Sequence, residues 1–323
     1  MQKYNDALIP IPFGLMNNGV VCYFNSFLQT LCSCSSFTST VLENKEYLLK
    51  TTTGEAIYNY VNKYILKCEI KIAVDESTNT ASTDTEIAFS TVEILRALKS
   101  DLRERRPKIH FGNGQESAHE VFVLLLDMME PVDSETENYP LLSSINSPIT
   151  KLFLHKCEWN LYCISCKNSI SKKIDYGVIF DMHHIDMQKH TNTPADFSKL
   201  IKQHISSVEG YKCPTCSGES ICRIYNLKRI PEIVFCSFNI YYQENRKIRY
   251  FPPYLEFKTN SEGDKYIFKL ISQIEHSGSL HGGHYWAKCL RNGDKVYELN
   301  DMGISPSMFQ STPYTYMVIY HMA

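Results

Sequence analysis

Cys22 stands just ahead of a stretch in which Phe24, Phe27, Leu28 and Leu31 recur at offsets of three and four. That is the period of an amphipathic helix with one buried face. A cysteine at or just before a helix N-terminus meets unpaired backbone N–H groups and the positive end of the dipole, which favour a thiolate. A thiolate is the form that attacks carbonyls. A buried structural cysteine fits the same local sequence. A second group of cysteines, Cys163-Ile-Ser-Cys166 and Cys213-Pro-Thr-Cys216, forms two Cys-x-x-Cys knuckles. The two-residue gap lets both thiolates of a knuckle face one ion at about 2.3 Å, and two knuckles complete a closed tetrahedral Zn2+ site with no open position for water. Redox dithiols are the alternative. His284 follows Gly282 and Gly283, which let backbone and substrate approach closely, and it opens an alternating strand. It is the candidate base, or else a structural histidine.

The elements that must position these groups are legible in part. Residues 1–13 form a lead-in, with Pro10 and Pro12 barring regular helix. Cys32, Cys34, Ser35 and Ser36 are expected to close the Cys22 helix, with Cys32 and Cys34 as structural thiols. Residues 41–70 read as helical with a break near Gly54, and 74–85 as a mobile polar loop. A helix is expected from Ser90 to Arg103, and another after Gly112-Asn-Gly114, with Ala118, Val121, Phe122, Leu125 and Met128 on one face. Residues 131–149 read as a loop. Residues 151–226 surround the knuckles with Tyr, Phe, Ile and Val and are expected to be β-rich. Strands are expected at 233–242 and 266–278, the second ending in a glycine turn, then from His284 and from Val296, with Tyr314–Tyr320 closing the sheet.

The chain has 323 residues, a net charge of −2, 43% hydrophobic and 21% charged residues, and twelve cysteines. It can bury a large core and offers no basic excess for a polyanion, so nucleic acid is not an expected partner. The start lacks the basic-then-apolar order of a signal peptide, and no apolar run reaches the roughly 20 residues of a membrane helix. A soluble protein of the cytoplasm and/or nucleus is expected, with no membrane partner. Cysteines there serve as thiols, metal ligands or a nucleophile rather than disulfides.

Residues 14–29, Gly-Leu-Met-Asn-Asn-Gly-Val-Val-Cys-Tyr-Phe-Asn-Ser-Phe-Leu-Gln, resemble the cysteine box of the ubiquitin-specific proteases, Gly-Leu-x-Asn-x-Gly-x-x-Cys-Tyr-x-Asn-Ser-x-Leu-Gln. Gln115, Ala118 and Glu120 match the family's second box, Gln-Gln-Asp-Ala-x-Glu-Phe. Phe251-Pro-Pro-Tyr-Leu is similar to its Phe-Pro-x-x-Leu segment, and residues 276–285 to its histidine box, His-Ser-Gly followed by Gly-His-Tyr. The boxes run in the family's order from Phe13 to Tyr320. Departures are Val20-Val21, Glu116, Ser117 and Trp286-Ala287. The family commonly carries Asp at the place of Ser117, where it helps to receive the basic tail of ubiquitin.

The resemblance implies an α+β, papain-like cysteine protease fold filling 1–323 as one domain. It implies a helical thumb at 13–150, zinc-bound β fingers at 151–226 and a β palm at 227–323. It implies a deubiquitinating thiol isopeptidase acting after the C-terminal glycine of ubiquitin, with ubiquitin and ubiquitinated proteins as partners and the chain a monomer. Cys22 is then the nucleophile, His284 the general base and acid, Asn300 the residue that orients it, and Asn17 the oxyanion donor. Asp301 shares or assists the role of Asn300. Gln115, Glu116, Glu120, Gly283 and Tyr285 receive the substrate tail, and Cys163, Cys166, Cys213 and Cys216 hold structural zinc. A silent ubiquitin-binding module, or a protease for another modifier ending in Gly-Gly, would share these boxes.

Overall fold

The computed structural model describes residues 11–77, 88–111, 116–131, 147–182, 195–196, 206–238, 240, 248, 250–258, 265–279, 282–291 and 293–323. Gln115, residues 112–114 and most of the expected 74–85 and 131–149 loops lie outside them. Six α-helices come first: α1 (Cys22–Leu31), α2 (Ser35–Glu43), α3 (Lys45–Leu48), α4 (Thr52–Ser77), α5 (Val92–Arg105) and α6 (Ala118–Met129). Two short strands, β1 (Gly14–Leu15) and β2 (Ala88–Phe89), pair in parallel beside them.

The structure moves several expected boundaries. Ser35 and Ser36 open α2 rather than close α1. The helical break falls between Leu48 and Thr52, and Gly54 sits inside the first turn of α4. That helix continues to Ser77, so the first residues of the expected loop are helical. The Gly54 break is misplaced because a Cβ there would crowd the Leu48 carbonyl and the Thr51 hydroxyl. The glycine is needed for close approach at a helix start, not to end a helix.

Two sheets follow. One is a four-stranded sheet of β3 (His155–Cys163), β4 (Ser169–Gly177), β7 (Ser206–Ser207) and β8 (Ile221–Arg229), in the order β4-β3-β8-β7. The larger sheet contains β5 (Phe180–Asp181), β6 (Ala195–Asp196), β9 (Ile233–Ser237), β10 (Tyr254–Lys258), β11 (Lys265–Ser279), β12 (Gly282–Arg291), β13 (Lys295–Asn300), β14 (Gly303–Ser307) and β15 (Thr315–Met322). Its main path is β14-β13-β12-β11-β15-β9-β5, with β10 on β11 and β6 on β10. The stretch 151–226 is therefore β-rich as expected, but β5 and β6 leave the small sheet to pair with β9 and β10. The last strand, β15, lies inside the large sheet between β11 and β9 instead of closing its edge.

Helix α1 is the centre of this arrangement. All ten of its residues are buried, not one face only, because it packs on β12, β11 and β13 on one side and on α6 on the other. Its polar side chains are satisfied internally, as burial demands. Gln29 Nε2 donates to the Phe13 carbonyl at 2.7 Å, and the Thr30 and Ser272 hydroxyls lie 2.9 Å apart. The rings of Phe27, Phe122, Phe153 and Phe235 meet at the junction, with Phe122 stacked on Phe235 at 4.6 Å between centroids. Arg291 is wholly buried against α1. Its guanidinium donates to the Gln29 carbonyl at 2.7 Å, to Gln29 Oε1 at 3.1 Å, to the Leu290 carbonyl and to the Ser33 hydroxyl. These partners are carbonyls and a hydroxyl, not a carboxylate.

At the base of the small sheet the His155 ring stacks on Phe180 at 3.9 Å, and Gly177 leaves room for it. Burial lowers its pKa from 6.5 to about 4. A depressed value means the folded state holds neutral His155 while the unfolded chain takes up a proton. Its contribution is complete above pH 6.5 and is lost as pH falls toward 4. Stability is expected to drop by about 3 kcal/mol across that window. A denaturant melt of His155→Leu should show a correspondingly flatter pH dependence.

Candidate active site and metal centre

Cys22 is the first residue of α1, directly after Val21, and is 3% exposed. Burial pushes its thiol pKa up. Hydrogen bonds from the backbone of Tyr285, Tyr23 and Cys22 itself pull the other way, while the nearby Asp301 carboxylate adds to the upward push. The net direction is up, against the lowering expected from the helix N-terminus. Desolvation outweighs the dipole at this depth. Alkylation of Cys22 by iodoacetamide, read by peptide mass spectrometry without substrate, is expected to keep accelerating above the ordinary cysteine value of about 8.5. A plateau near neutrality would show a preformed thiolate.

The Tyr285 backbone beside Cys22 belongs to β12, and His284 precedes it. His284 Nε2 lies 2.6 Å from Asn300 Oδ1. Asn300 is the last residue of β13, one position beyond the Ala287–Leu299 pair that ties β13 to β12. An amide oxygen only accepts, so Nε2 carries the hydrogen and Nδ1 is the basic nitrogen. Trp286, on the same face of β12, stacks near the His284 ring at 6.1 Å. The glycines ahead of His284 have a packing reason. Gly278 and Gly283 face each other across β11 and β12, and a Cβ on Gly283 would overlap the Ser277 carbonyl and the His276 ring.

Asp301 bonds through its side chain to Asn17 and Asn25. It begins the two-residue turn between β13 and β14, with φ of 51°, in the left-handed region that Asp tolerates and hairpin turns require. Its Oδ2 accepts from Asn17 Nδ2 and Oδ1 from Asn25 Nδ2, each at 2.8 Å. Gly14 packs against this turn, since a Cβ there would meet the Met302 carbonyl oxygen at 2.9 Å. Asn17 thus has one amide hydrogen on Asp301, and its Oδ1 accepts from the Gly19 N–H at 3.2 Å. The other amide hydrogen is outside this bond. Asn25 was not singled out by the sequence. Its signal is the i, i+3 spacing from Cys22, which puts both on one side of α1.

The tail-binding expectations fare unevenly. Glu116 lies close enough to Tyr23 to raise its pKa after burial does. Ser117 is the N-cap of α6, its hydroxyl accepting from the Glu120 N–H at 3.0 Å. Ser and Asp cap equally well, so the Ser117 departure preserves the helix start and removes a charge. The Tyr285 ring is buried, packed on His276 at 4.2 Å and on Tyr316 at 5.6 Å. The Tyr285 backbone hydrogen-bonds Cys22.

The knuckles lie together at one end of the small sheet. The Sγ atoms of Cys163, Cys166, Cys213 and Cys216 are all within 4.8 Å of one another. Cys163–Cys216 and Cys166–Cys213 are 3.6 and 3.7 Å apart. Four sulfurs bound tetrahedrally at about 2.3 Å stand about 3.8 Å from each other, so the spacing suits one metal ion. Both knuckles turn alike. Lys167 and Ser217, each following a second cysteine, have φ of 59°, and the Cys163 and Cys213 N–H groups each donate 2.9 Å to a carbonyl five residues on. Cys32 and Cys34 are buried thiols near Arg291, outside this group.

Comparison with known proteins agrees with the architecture. Solved structures similar in fold include the yeast SAGA DUB module, at a TM-score of 0.68 and 16% identity, covering 99% of this chain and 70% of that one. The SAGA Ubp8/Sgf11/Sus1/Sgf73 DUB module bound to ubiquitin aldehyde gives a TM-score of 0.67 and 15% identity, covering 99% of this chain and 71% of that one. The fold is the α+β architecture of the ubiquitin-specific proteases, in which a cysteine-bearing helix docks on a large sheet and a smaller sheet carries a four-cysteine cluster. The family profile described as "Ubiquitin carboxyl-terminal hydrolase" matches residues 13–320, and the chain belongs to that family. Ubiquitin carboxyl-terminal hydrolase 36 of Drosophila grimshawi is 24% identical over 338 residues, 99% of this chain. Its counterpart from Drosophila ananassae is 24% identical over 339 residues. The chain spans 26% and 29% of the length of these two relatives. Among the described residues no helix is long and apolar enough to cross a membrane.

Proposed function

We propose that the protein is a deubiquitinating thiol isopeptidase that hydrolyses the bond after the C-terminal glycine of ubiquitin on conjugates or chains. The observation that carries this reading is the 2.6 Å His284–Asn300 bond on the strand whose next residue hydrogen-bonds the Cys22 sulfur. His284 Nδ1 takes the Cys22 proton as sulfur attacks the glycine carbonyl. The carbonyl electrons move to oxygen, which receives the second amide hydrogen of Asn17 and backbone N–H groups at the start of α1. Collapse expels the lysine amine, protonated from Nδ1, and leaves a thioester. Water, deprotonated by Nδ1, attacks that thioester, and the ubiquitin carboxylate departs while Cys22 regains its proton. Asn300 orients the ring without a counter-charge.

Cys163, Cys166, Cys213 and Cys216 would hold zinc. Four sulfurs leave it no open position, so it supplies structure and no chemistry. The small sheet it anchors is the surface for the globular body of ubiquitin, and Glu116 and Glu120 are the acids left for the basic tail once Ser117 has replaced the usual Asp. The fold neighbours bring no support for a solitary monomer, since their solved assemblies contain Sgf11, Sus1 and Sgf73.

Turnover of a ubiquitin C-terminal fluorogenic amide tests this reading, set beside the same amide on other Gly-Gly modifiers. Cleavage of the ubiquitin substrate supports it. Cleavage of another modifier alone replaces ubiquitin as substrate, and tight ubiquitin binding without cleavage leaves a silent binding module. Within the active case, Asn17→Ala is expected to cost about 100- to 1000-fold in kcat with little change in KM, because the oxyanion exists only after attack. Equal losses in kcat and affinity would place Asn17 in ground-state binding instead.

A further inference from the structure

Asn17 can serve an oxyanion only if its amide is already turned toward it, and that amide is bonded to Asp301. We propose that Asn25 and Thr91 are positioning residues that aim the Asn17 amide by way of Asp301. The proposal rests on the hydrolase reading above for its catalytic consequence, though not for its geometry.

The connection is continuous. The Thr91 hydroxyl donates to Asn25 Oδ1 at 3.1 Å. Asn25 Nδ2 donates to Asp301 Oδ1 at 2.8 Å and to the Met16 carbonyl at 3.3 Å. The other Asp301 oxygen accepts from Asn17 at 2.8 Å. Thr91 and Asn25 are each 1% exposed. The Asn25 amide therefore spends both hydrogens and its oxygen inside the protein, where an unmet bond is costly. Asp301 is held at its backbone too, its carbonyl accepting from the Leu15 N–H at 2.9 Å. With the turn fixed and one carboxylate oxygen pinned by Asn25, the plane of the carboxylate is set, and with it the direction of the Asn17 amide.

A second observation separates this from ordinary packing. Thr91 occupies the N-cap position of α5, where a threonine hydroxyl normally accepts from its own helix. Here the Thr91 side chain makes no cap bond, the Ser90 hydroxyl accepts from the Val92 N–H at 3.4 Å instead, and the Thr91 hydroxyl is turned to Asn25. The local role of the residue is forgone for the distant one.

The test compares Thr91→Val, which keeps the shape and loses the donor, with Thr91→Ser, which keeps the donor. Two quantities are read: the side-chain 15N order parameter of Asn17 in the substrate-free protein, and kcat and KM on the ubiquitin C-terminal amide. Thr91→Val is expected to lower the Asn17 order parameter and kcat by about tenfold, with KM within about twofold, since small misplacements of a positioned group act on rate. Thr91→Ser is expected to restore both. Thr91→Ala removes the same hydroxyl without adding volume and takes the place of Thr91→Val if that variant does not fold. An Asn17 amide equally ordered in all variants overturns the proposal, as does a fall in kcat shared by Thr91→Ser. Loosened Asn17 with unchanged kcat overturns its catalytic half. If wild type cleaves nothing, the hydrolase reading fails, and the order parameters still decide whether Thr91 and Asn25 aim Asn17.

Discussion

Cys22→Ala is expected to lower kcat/KM on a ubiquitin C-terminal amide by at least about 10⁴-fold while leaving ubiquitin affinity intact. The size of the loss follows from the route. Without the sulfur no thioester forms, and the remaining groups can assist only direct attack by water. His284→Ala should cost nearly as much, and the double variant little more, because nucleophile and base act as one unit. Cys22 sits buried at a helix start, so alanine leaves only a small space and the fold should persist. A melting curve checks that point. Residual turnover within tenfold of wild type would move the nucleophile elsewhere.

Removing the metal is expected to have the second largest effect, and a different kind of effect. The four sulfurs converge at one end of the small sheet, where the cluster of buried residues is Cys163, Cys213 and Ile221. A structural four-thiolate zinc in a small module contributes on the order of 10 kcal/mol, far more than that cluster can. Metal analysis should find one zinc per chain. Chelation, or Cys213→Ser, should unfold the small sheet and weaken ubiquitin binding at least about a hundredfold. Cys22 alkylation should persist, because α1 and β12 pack in the other core. A protein shown to be metal-free that keeps its melting behaviour and ubiquitin affinity would exclude the zinc assignment.

The two predictions rest on features of unequal visibility in the sequence. The knuckles and the cysteine and histidine boxes were legible because each is a short run whose spacing is itself the signal. The start of α1 at Cys22 was legible for the same reason. What escaped is what needs the third dimension. Periodicity sees that α1 has an apolar face, but not that α6 covers its other side, so the burial of Asn25, Gln29 and Thr30 is invisible to it. The Thr91–Asn25 and Asn17–Asp301 bonds join residues 66 and 284 positions apart, and no local pattern marks them. Asp301 adjoins Asn300, which invited a shared role. Successive residues at a strand end and a turn point different ways, and the two serve different partners. The thiol of Cys22 went the same way: the helix dipole is visible in sequence, whereas desolvation is not.

Arg291 bears on how the molecule is put together. It brings a full charge into the core on β12, the strand that carries His284, and every hydrogen bond that satisfies it beyond its own strand comes from α1 and the residues just after it. A half-assembled chain with the sheet formed but α1 undocked would strand that guanidinium, at a cost of about 3–5 kcal/mol. The His284 strand and the Cys22 helix therefore gain from joining together and lose from joining with anything else. The cation behaves as an assembly check: fragments split between α6 and β12 should each be poor folders alone, and a chain caught part-way during synthesis presents an incomplete cleft instead of a reactive cysteine.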